Sequence, residues 1–107
     1  MYVVGTVSSG MVSNGNANAN SLIGSSYNDT LNGKGGSDTI KGLSGDDILK
    51  GSGGSDAING GGGHDKVLGG AGNDVLIGGG GHDTLSGGGG KDTIKGQKGS
   101  DFLTGNG

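Results

Sequence analysis

The chain has 107 residues, of which 31 are glycine and none is proline, cysteine or tryptophan. Hydrophobic residues make up 27%, far below the roughly 45–50% of an ordinary globular domain, so a conventional core is excluded. The ten acids are all aspartate, the seven bases are all lysine, and the formal net charge is −3. This balance, without arginine or an aromatic stacking surface, argues against a nucleic-acid partner.

Residues 1–23 lack the regular pattern that follows them. Met1–Val7 is too short for the apolar core of a secretory signal, and no apolar run in the chain is long enough to span a membrane. Gly15, Asn20 and Leu22 keep the spacing of the later pattern, with asparagine in place of aspartate. We expect this segment to be an N-terminal cap or a degenerate repeat, because the ends of repeat arrays need covering.

From residue 24 onward three residue types recur every nine positions. An aliphatic residue follows each in-phase aspartate by two positions, and a glycine precedes it by five in all nine copies. A second glycine lies two positions before the aspartate in eight copies, with Tyr27 as the exception. A flexible linker has no reason to keep such a register, so the pattern predicts an ordered repeat. The in-phase aspartates are Asp29, Asp38, Asp47, Asp56, Asp65, Asp74, Asp83, Asp92 and Asp101.

Each unit reads G-x-x-G-x-D-x-U-x, with U aliphatic, and predicts one short strand and one turn. The triplet x-U-x alternates outward, inward and outward, as a strand does. The six residues before it form a turn whose glycines supply positive-φ positions. Two strands and two turns make a coil of 18 residues, and coils stack at about 4.8 Å. Alternate aspartates therefore line opposite edges of the stack.

The unit resembles the repeats-in-toxin nonapeptide, the hemolysin-type calcium-binding repeat. The resemblance covers residues 24–104, and four copies carry a second leading glycine, at Gly61, Gly70, Gly79 and Gly88. It implies an all-β fold, a right-handed parallel β-roll with two short strands and two calcium-binding turns per coil. The expected organisation is a cap or degenerate segment at 1–23, nine repeats forming one roll at 24–104, and the start of a truncated repeat at 105–107.

Ligand chemistry favours calcium, because the turns offer only carboxylates and backbone carbonyls, and calcium accepts six to eight oxygens in flexible geometry. The resemblance implies that each ion lies between adjacent coils. One coil gives its aspartate and the carbonyls of positions 2 and 4, and the next coil gives its aspartate and those of positions 1 and 3. The implied sites are Gly61, Gly63 and Asp65 with Gly78, Gly80 and Asp83, and Gly70, Gly72 and Asp74 with Gly87, Gly89 and Asp92.

The five turns of one edge and the four of the other leave room for up to about seven ions. Seven divalent ions would reverse the net charge strongly, which opposes full loading. We therefore expect the repeats with both leading glycines to load first and the site that includes Tyr27 to be weakest. Without metal, stacked aspartates repel one another and the few aliphatic side chains do not offset the entropy of ordering, so the chain is expected to be largely unfolded.

Other chemistries find little support in the sequence. There is no glutamate, which excludes the bidentate ligand of an EF-hand loop, and no phosphate-binding loop or nucleophile elbow. A Ser–His–Asp site built on His64 or His82 would consume repeat aspartates, so we expect no enzyme. These two histidines share position 5 one coil apart. They indicate either an adventitious transition-metal or pH-sensitive site or, as we favour, two exposed turn residues.

The pattern is typical of a calcium-ion-binding structural module of a secreted bacterial protein that folds on meeting extracellular calcium. Two alternatives stay open: a non-catalytic repeat region of a secreted enzyme such as a protease or lipase, and a calcium-stiffened spacer of an adhesin. Either places flanking domains beside the repeats. In the resembled family the export signal follows the repeats, and residues 105–107 do not match it.

Overall fold

The computed structural model describes residues 2–4 and 12–105, and within them every regular element is a β-strand. Most strands are three residues long, as the x-U-x triplets predict. In chain order they are β1 (Tyr2–Val4), β2 (Val12–Asn14), β3 (Ser21–Ile23), β4 (Thr30–Asn32), β5 (Thr39–Lys41), β6 (Ile48–Ser52), β7 (Ala57–Asn59), β8 (Lys66–Gly70), β9 (Val75–Ile77), β10 (Thr84–Ser86), β11 (Thr93–Lys95) and β12 (Phe102–Thr104).

The strands form two parallel six-stranded sheets, to which consecutive strands belong alternately. One sheet has the order β1-β3-β5-β7-β9-β11, and the other has the order β12-β10-β8-β6-β4-β2. In the first sheet Leu22 pairs with Ile40, and Ile40 with Ile58, so neighbouring strands are one 18-residue coil apart. This is a parallel β-roll of about five turns, and the predicted fold class is confirmed.

The core is a double row of aliphatic side chains, one from each strand from β3 to β10. Eight of them are at most 1% exposed: Leu22, Leu31, Ile40, Leu49, Ile58, Val67, Leu76 and Leu85. Burial fades toward the last coil, where Ile94 is only partly buried and Leu103 is 46% exposed. Because each coil covers its predecessor, the last described coil has its inward side chains least covered.

The first coil is one residue longer than the others. Tyr2 pairs with Ser21, nineteen positions on, whereas Val12 pairs with Thr30 at the usual eighteen. Leu22 joins the core like any repeat aliphatic. Residues 1, 5–11 and 106–107 lie outside the described part. The proposed boundaries at 23 and 105 stay predictions. No helix in the described part is long and apolar enough to cross a membrane.

Positions 2 and 4 of the repeat turns have positive φ, and they differ in whether a residue other than glycine occurs there. Position 2 holds Lys34, Leu43, Ser52 and Gln97 at φ of 68 to 74°, at the border of the left-handed region that L residues reach. Position 4 holds only glycine at positive φ, with values of 86 to 102° that lie beyond that region. The turn at 24–29 is different, since neither Ser25 nor Tyr27 has positive φ.

The core row predicts a modest but measurable cost for removing one methyl group. Ile58 is 1% exposed, and Ile58→Val should lower the free energy of unfolding in saturating calcium by about 0.5–1.5 kcal/mol. Ile48→Val, at an outward position that is 40% exposed, is the matched control and should change it little. Chemical denaturation followed by circular dichroism measures both, and equal losses would contradict the inward-outward assignment.

Candidate metal centre

The in-phase aspartates end the turns and point inward. Asp29, Asp38, Asp47, Asp56, Asp65, Asp74 and Asp83 are 1–3% exposed, whereas Asp92 and Asp101 in the last coil are partly exposed. Such burial of a carboxylate is costly unless hydrogen bonds or an opposite charge accompany it. The structure therefore brings the predicted aspartates into two columns, one along each edge of the roll.

From Asp38 onward, one oxygen of each in-phase carboxylate accepts a hydrogen bond from the preceding coil. The backbone N–H of Asp47 donates to Oδ1 of Asp65 at 2.9 Å, and that of Asp65 donates to Oδ1 of Asp83 at 2.8 Å. On the other edge Asp56 donates in the same way to Asp74 at 2.8 Å. Each aspartate thus extends the inter-coil ladder by one hydrogen bond beyond the strand.

The second oxygen is left without a partner. Oδ2 is buried and accepts no hydrogen bond in Asp38, Asp47, Asp56, Asp65, Asp74, Asp83 and Asp92. An unpaired buried carboxylate oxygen is rare in folded proteins and calls for a proton, a water molecule or an ion. The repetition of the same unpaired atom in seven turns indicates a common ligand chemistry.

Each unpaired oxygen lies in a small cradle beside the glycine at position 1. A Cβ built on Gly60 would lie 2.5 Å from Oδ2 of Asp65 and 2.9 Å from the carbonyl oxygen of Gly78 in the next coil. At Gly69 the corresponding atoms are Oδ2 of Asp74 at 2.6 Å and the carbonyl of Gly87 at 2.8 Å. Oxygens of two coils therefore converge on this cradle, and carboxylate and carbonyl oxygens are the ligands that calcium takes. The donor chemistry fits calcium.

The carbonyls of the turns point in opposite directions by position. At position 2 the carbonyl of Gly61 faces the next coil and accepts from the N–H of Gly80 at 3.1 Å. At position 4 the carbonyl of Gly63 faces the next coil too, against Gly81. At position 1 the carbonyl of Gly78 faces back toward Gly60. At positions 1, 2 and 4 these are the directions that the implied donor pairing requires, and the full ligand set stays a prediction.

The other glycines implied as carbonyl donors fall into two groups. Gly70, Gly72 and Gly87 repeat on the second edge the positions of Gly61, Gly63 and Gly78, whereas Gly80 and Gly89 lie at the outside of their turns. Within the described residues no three histidine or aspartate side chains come together as a metal-binding group. Each coil brings one in-phase carboxylate to each edge, so most donors of such a site are backbone carbonyls.

Burial raises the pKa of the central aspartates well above the ordinary 3.8. The pKa of Asp47 and of Asp65 is about 7 and that of Asp56 about 6, and the pKa of Asp74 and Asp83 is also raised. The carboxylates of neighbouring coils add to the effect, and the backbone hydrogen bond from the preceding coil opposes it. Without a cation, burial therefore shifts the titration equilibrium of these carboxyl groups toward the protonated form.

These raised pKa values predict that acid partly replaces metal in stabilising the roll. Because the folded-state pKa values exceed the unfolded value, the stabilisation is fully present below about 4 and is lost as pH rises through 6 to 7. In metal-free buffer the β signal in circular dichroism should therefore grow as pH falls from 8 to 5. The control is the same scan in saturating calcium, which should be flat, and a metal-free signal that grows with pH would contradict this account.

The histidines belong to a second column of inter-coil hydrogen bonds, at position 5. The rings of His64 and His82 stack with centroids 5.1 Å apart and planes 1° apart. Nδ1 of His64 accepts from the N–H of His82 at 2.9 Å, and Nδ1 of His82 accepts from Ser100 at 2.8 Å. Asp46 accepts in the same way from His64. Both histidines are exposed, as expected, but sequence reasoning missed this ladder, whose signal is an acceptor side chain at position 5.

Comparison with known families agrees with the geometry. The family model for the RTX calcium-binding nonapeptide repeat matches residues 14–49, 32–67, 41–76, 60–94 and 77–107. These segments together cover most of the chain, which therefore belongs to the RTX calcium-binding nonapeptide repeat family. It is a calcium-binding repeat module with the β-roll fold. No curated protein and no solved structure matches the chain.

Proposed function

We propose that this chain is a secreted structural module whose roll forms when it binds extracellular calcium. The observation that carries the proposal is the set of seven buried, unpaired Oδ2 atoms, one per turn from Asp38 to Asp92. Burial raises the pKa of the central carboxylates, so the ionised roll at neutral pH is destabilised by its own carboxylates. A divalent cation between coils supplies the positive charge that this arrangement lacks.

The proposed ligands follow from the direction of the donors. One site takes Asp65 with the carbonyls of Gly61 and Gly63, and adds Asp83, Gly78 and Gly80 from the next coil. The matching site on the other edge takes Asp74, Gly70 and Gly72 with Asp92, Gly87 and Gly89. We expect these sites, with glycine at positions 1, 2 and 4, to load first among up to about seven. The coupling of binding to folding follows because the unfolded chain holds no preformed site.

The biological setting is proposed from the family chemistry rather than from a catalytic site. An extracellular calcium level supports the folded roll, and a calcium-poor cytoplasm does not. We propose that flanking domains of a larger secreted protein accompany the roll, either a protease or lipase or the tandem array of an adhesin. The roll itself is assigned no catalytic role, since its aspartates are committed to the two edge columns.

Calorimetry of the metal-free chain tests the proposal directly. Calcium titrated at pH 7.5 and physiological salt should bind at more than one site, and magnesium at the same millimolar concentrations should produce no comparable heat. Magnesium requires tight octahedral geometry and dehydrates reluctantly, which carbonyl-rich turns of this kind do not accommodate. The absence of calcium binding, or an equal response to the two ions, would overturn the proposal.

A further inference from the structure

The turn at 15–20, at the N-terminal end of one edge, pairs two of its own carbonyls with the side-chain amide of Asn20. Asn20 stands at the aspartate position and is 4% exposed. Its Nδ2 donates to the carbonyl of Asn18 at 2.8 Å and to that of Asn16 at 3.3 Å. These carbonyls occupy positions 4 and 2 of the turn, which are the positions proposed to bind calcium in later coils. An amide N–H group therefore serves them in place of an ion.

The amide nitrogen also occupies the cradle that holds a carboxylate oxygen elsewhere. A Cβ built on Gly15 would lie 2.5 Å from Nδ2 of Asn20 and 2.6 Å from the carbonyl of Gly33. At Gly60 the same two places are taken by Oδ2 of Asp65 and the carbonyl of Gly78. The N–H donor of Asn20 thus lies where Asp65 has an unpaired carboxylate oxygen, beside the glycine at position 1. In Asn20 the buried side-chain atom without a hydrogen bond is Oδ1.

In the turn at 24–29, too, residues of the turn itself form the hydrogen bonds, but here Ser25 donates them to the carboxylate of Asp29. The N–H of Ser25 donates to Oδ2 of Asp29 at 2.7 Å, and the Ser25 hydroxyl donates to Oδ1 at 2.8 Å. The hydroxyl oxygen in turn accepts from the N–H of Tyr27 at 3.1 Å. Oδ2 of Asp29 therefore has a donor, unlike Oδ2 of the aspartates in the next seven turns.

We propose that Asn20 and Ser25 close the first described turn of each edge without a cation, so that metal-dependent coils begin at Asp38 and Asp47. The inference rests on the proposed function and sharpens it. The interval between the turns at 24–29 and 42–47 holds no ion, which leaves three intervals on each edge and at most six ions. The two N-terminal turns hold Nδ2 of Asn20 and Oδ2 of Asp29 in hydrogen bonds within the turn, and the metal-binding coils stack on them.

Asn20→Asp is the direct test of the first closure. The aspartate would place a second acceptor in the cradle against the carbonyls of Asn16 and Asn18, and so recreate the unpaired oxygen of later turns. The calorimetric calcium count should rise by one relative to the wild-type chain. Asn18→Asp is the matched control, because it adds the same charge to the same turn on an exposed side chain, and it should leave the count unchanged.

The double variant Ser25→Gly with Tyr27→Gly tests the second closure independently of the first. It removes the serine hydroxyl and places glycine at positions 2 and 4, as in the turn at 60–65. This variant should also gain one ion. Ser26→Gly is its control, since position 3 is exposed and already holds glycine at Gly35 and Gly53, and it should retain the wild-type count.

The outcomes separate this inference from the proposed function. A wild-type chain that binds no calcium contradicts the proposed function itself. A wild-type chain that binds calcium, with counts that stay unchanged in both Asn20→Asp and the double variant, overturns the metal-independent closure alone. A wild-type count of seven overturns it too. A count of six or fewer that rises by one in each variant supports it.

Discussion

Gly63→Ala should prevent most of the roll from forming at a calcium concentration that just saturates the wild-type chain. Gly63 occupies position 4 with φ of 95°, outside the left-handed region open to L residues. The positive φ alone costs about 1–2 kcal/mol. A Cβ there would also overlap the backbone carbonyl of Gly45 in the preceding coil, which cannot rotate away as a side chain can. The two coils could keep their spacing only if the turn at 60–65 adopted a different backbone conformation.

The comparison is Gly62→Ala, one residue away in the same turn. Gly62 has no positive φ, and an added Cβ would meet no atom within 4 Å. It should fold at the wild-type calcium concentration, as judged by circular dichroism during a calcium titration. If Gly63→Ala and Gly62→Ala fold with the same calcium midpoint, the close stacking of position-4 glycines is wrong.

Asp65→Asn should remove one or two bound calcium ions while leaving the roll folded in excess calcium. Asp65 faces a coil on either side, accepting from the N–H of Asp47 and donating its own N–H to Asp83. An asparagine keeps the Oδ1 acceptor but replaces the unpaired Oδ2 with an N–H donor. By analogy with Asn20, that donor satisfies the turn carbonyls of Gly61 and Gly63 without an ion.

Asp46→Asn provides a control with the same change in charge at the neighbouring residue. Asp46 is exposed and stands out of phase with the repeat, and its Oδ1 accepts the N–H of His64, a hydrogen bond that an asparagine retains. Calorimetry should give the wild-type calcium count for Asp46→Asn and a lower count for Asp65→Asn. Equal counts would show that the buried column does not bind the ions.

The nine-residue spacing was sufficient to predict the strands from β4 to β12 and their register. Because the aspartate, the glycine and the aliphatic residue recur together, only one assignment of x-U-x to strands keeps every aliphatic inward, and Leu31 and Leu49 are indeed paired core residues. The fading burial at Ile94 and Leu103 was not predictable from their own repeats. Their exposure depends on whether another coil covers them, which is not a property of one unit.

The N-terminal turns show where a repeat pattern is insufficient. Tyr27 marked the turn at 24–29 as irregular, and the expectation was a weak metal site there. The sequence did not reveal that the Ser25 hydroxyl reaches Asp29, because this contact needs a turn without positive φ at positions 2 and 4. Asn20 kept the spacing but changed the chemistry, since an amide brings a donor where a carboxylate brings none. The hydrogen bonds of the Ser25 hydroxyl and of the Asn20 amide both depend on the backbone geometry within a single turn.

Far-ultraviolet circular dichroism of the chain, titrated with calcium and separately with magnesium at neutral pH, tests the central claim most directly. The account predicts a coil signal in metal-free buffer, a β signal on adding calcium, reversal by chelator, and no such change with magnesium. A full β signal in chelator at neutral pH would contradict it, because the roll would then be stable with its buried carboxylates uncompensated.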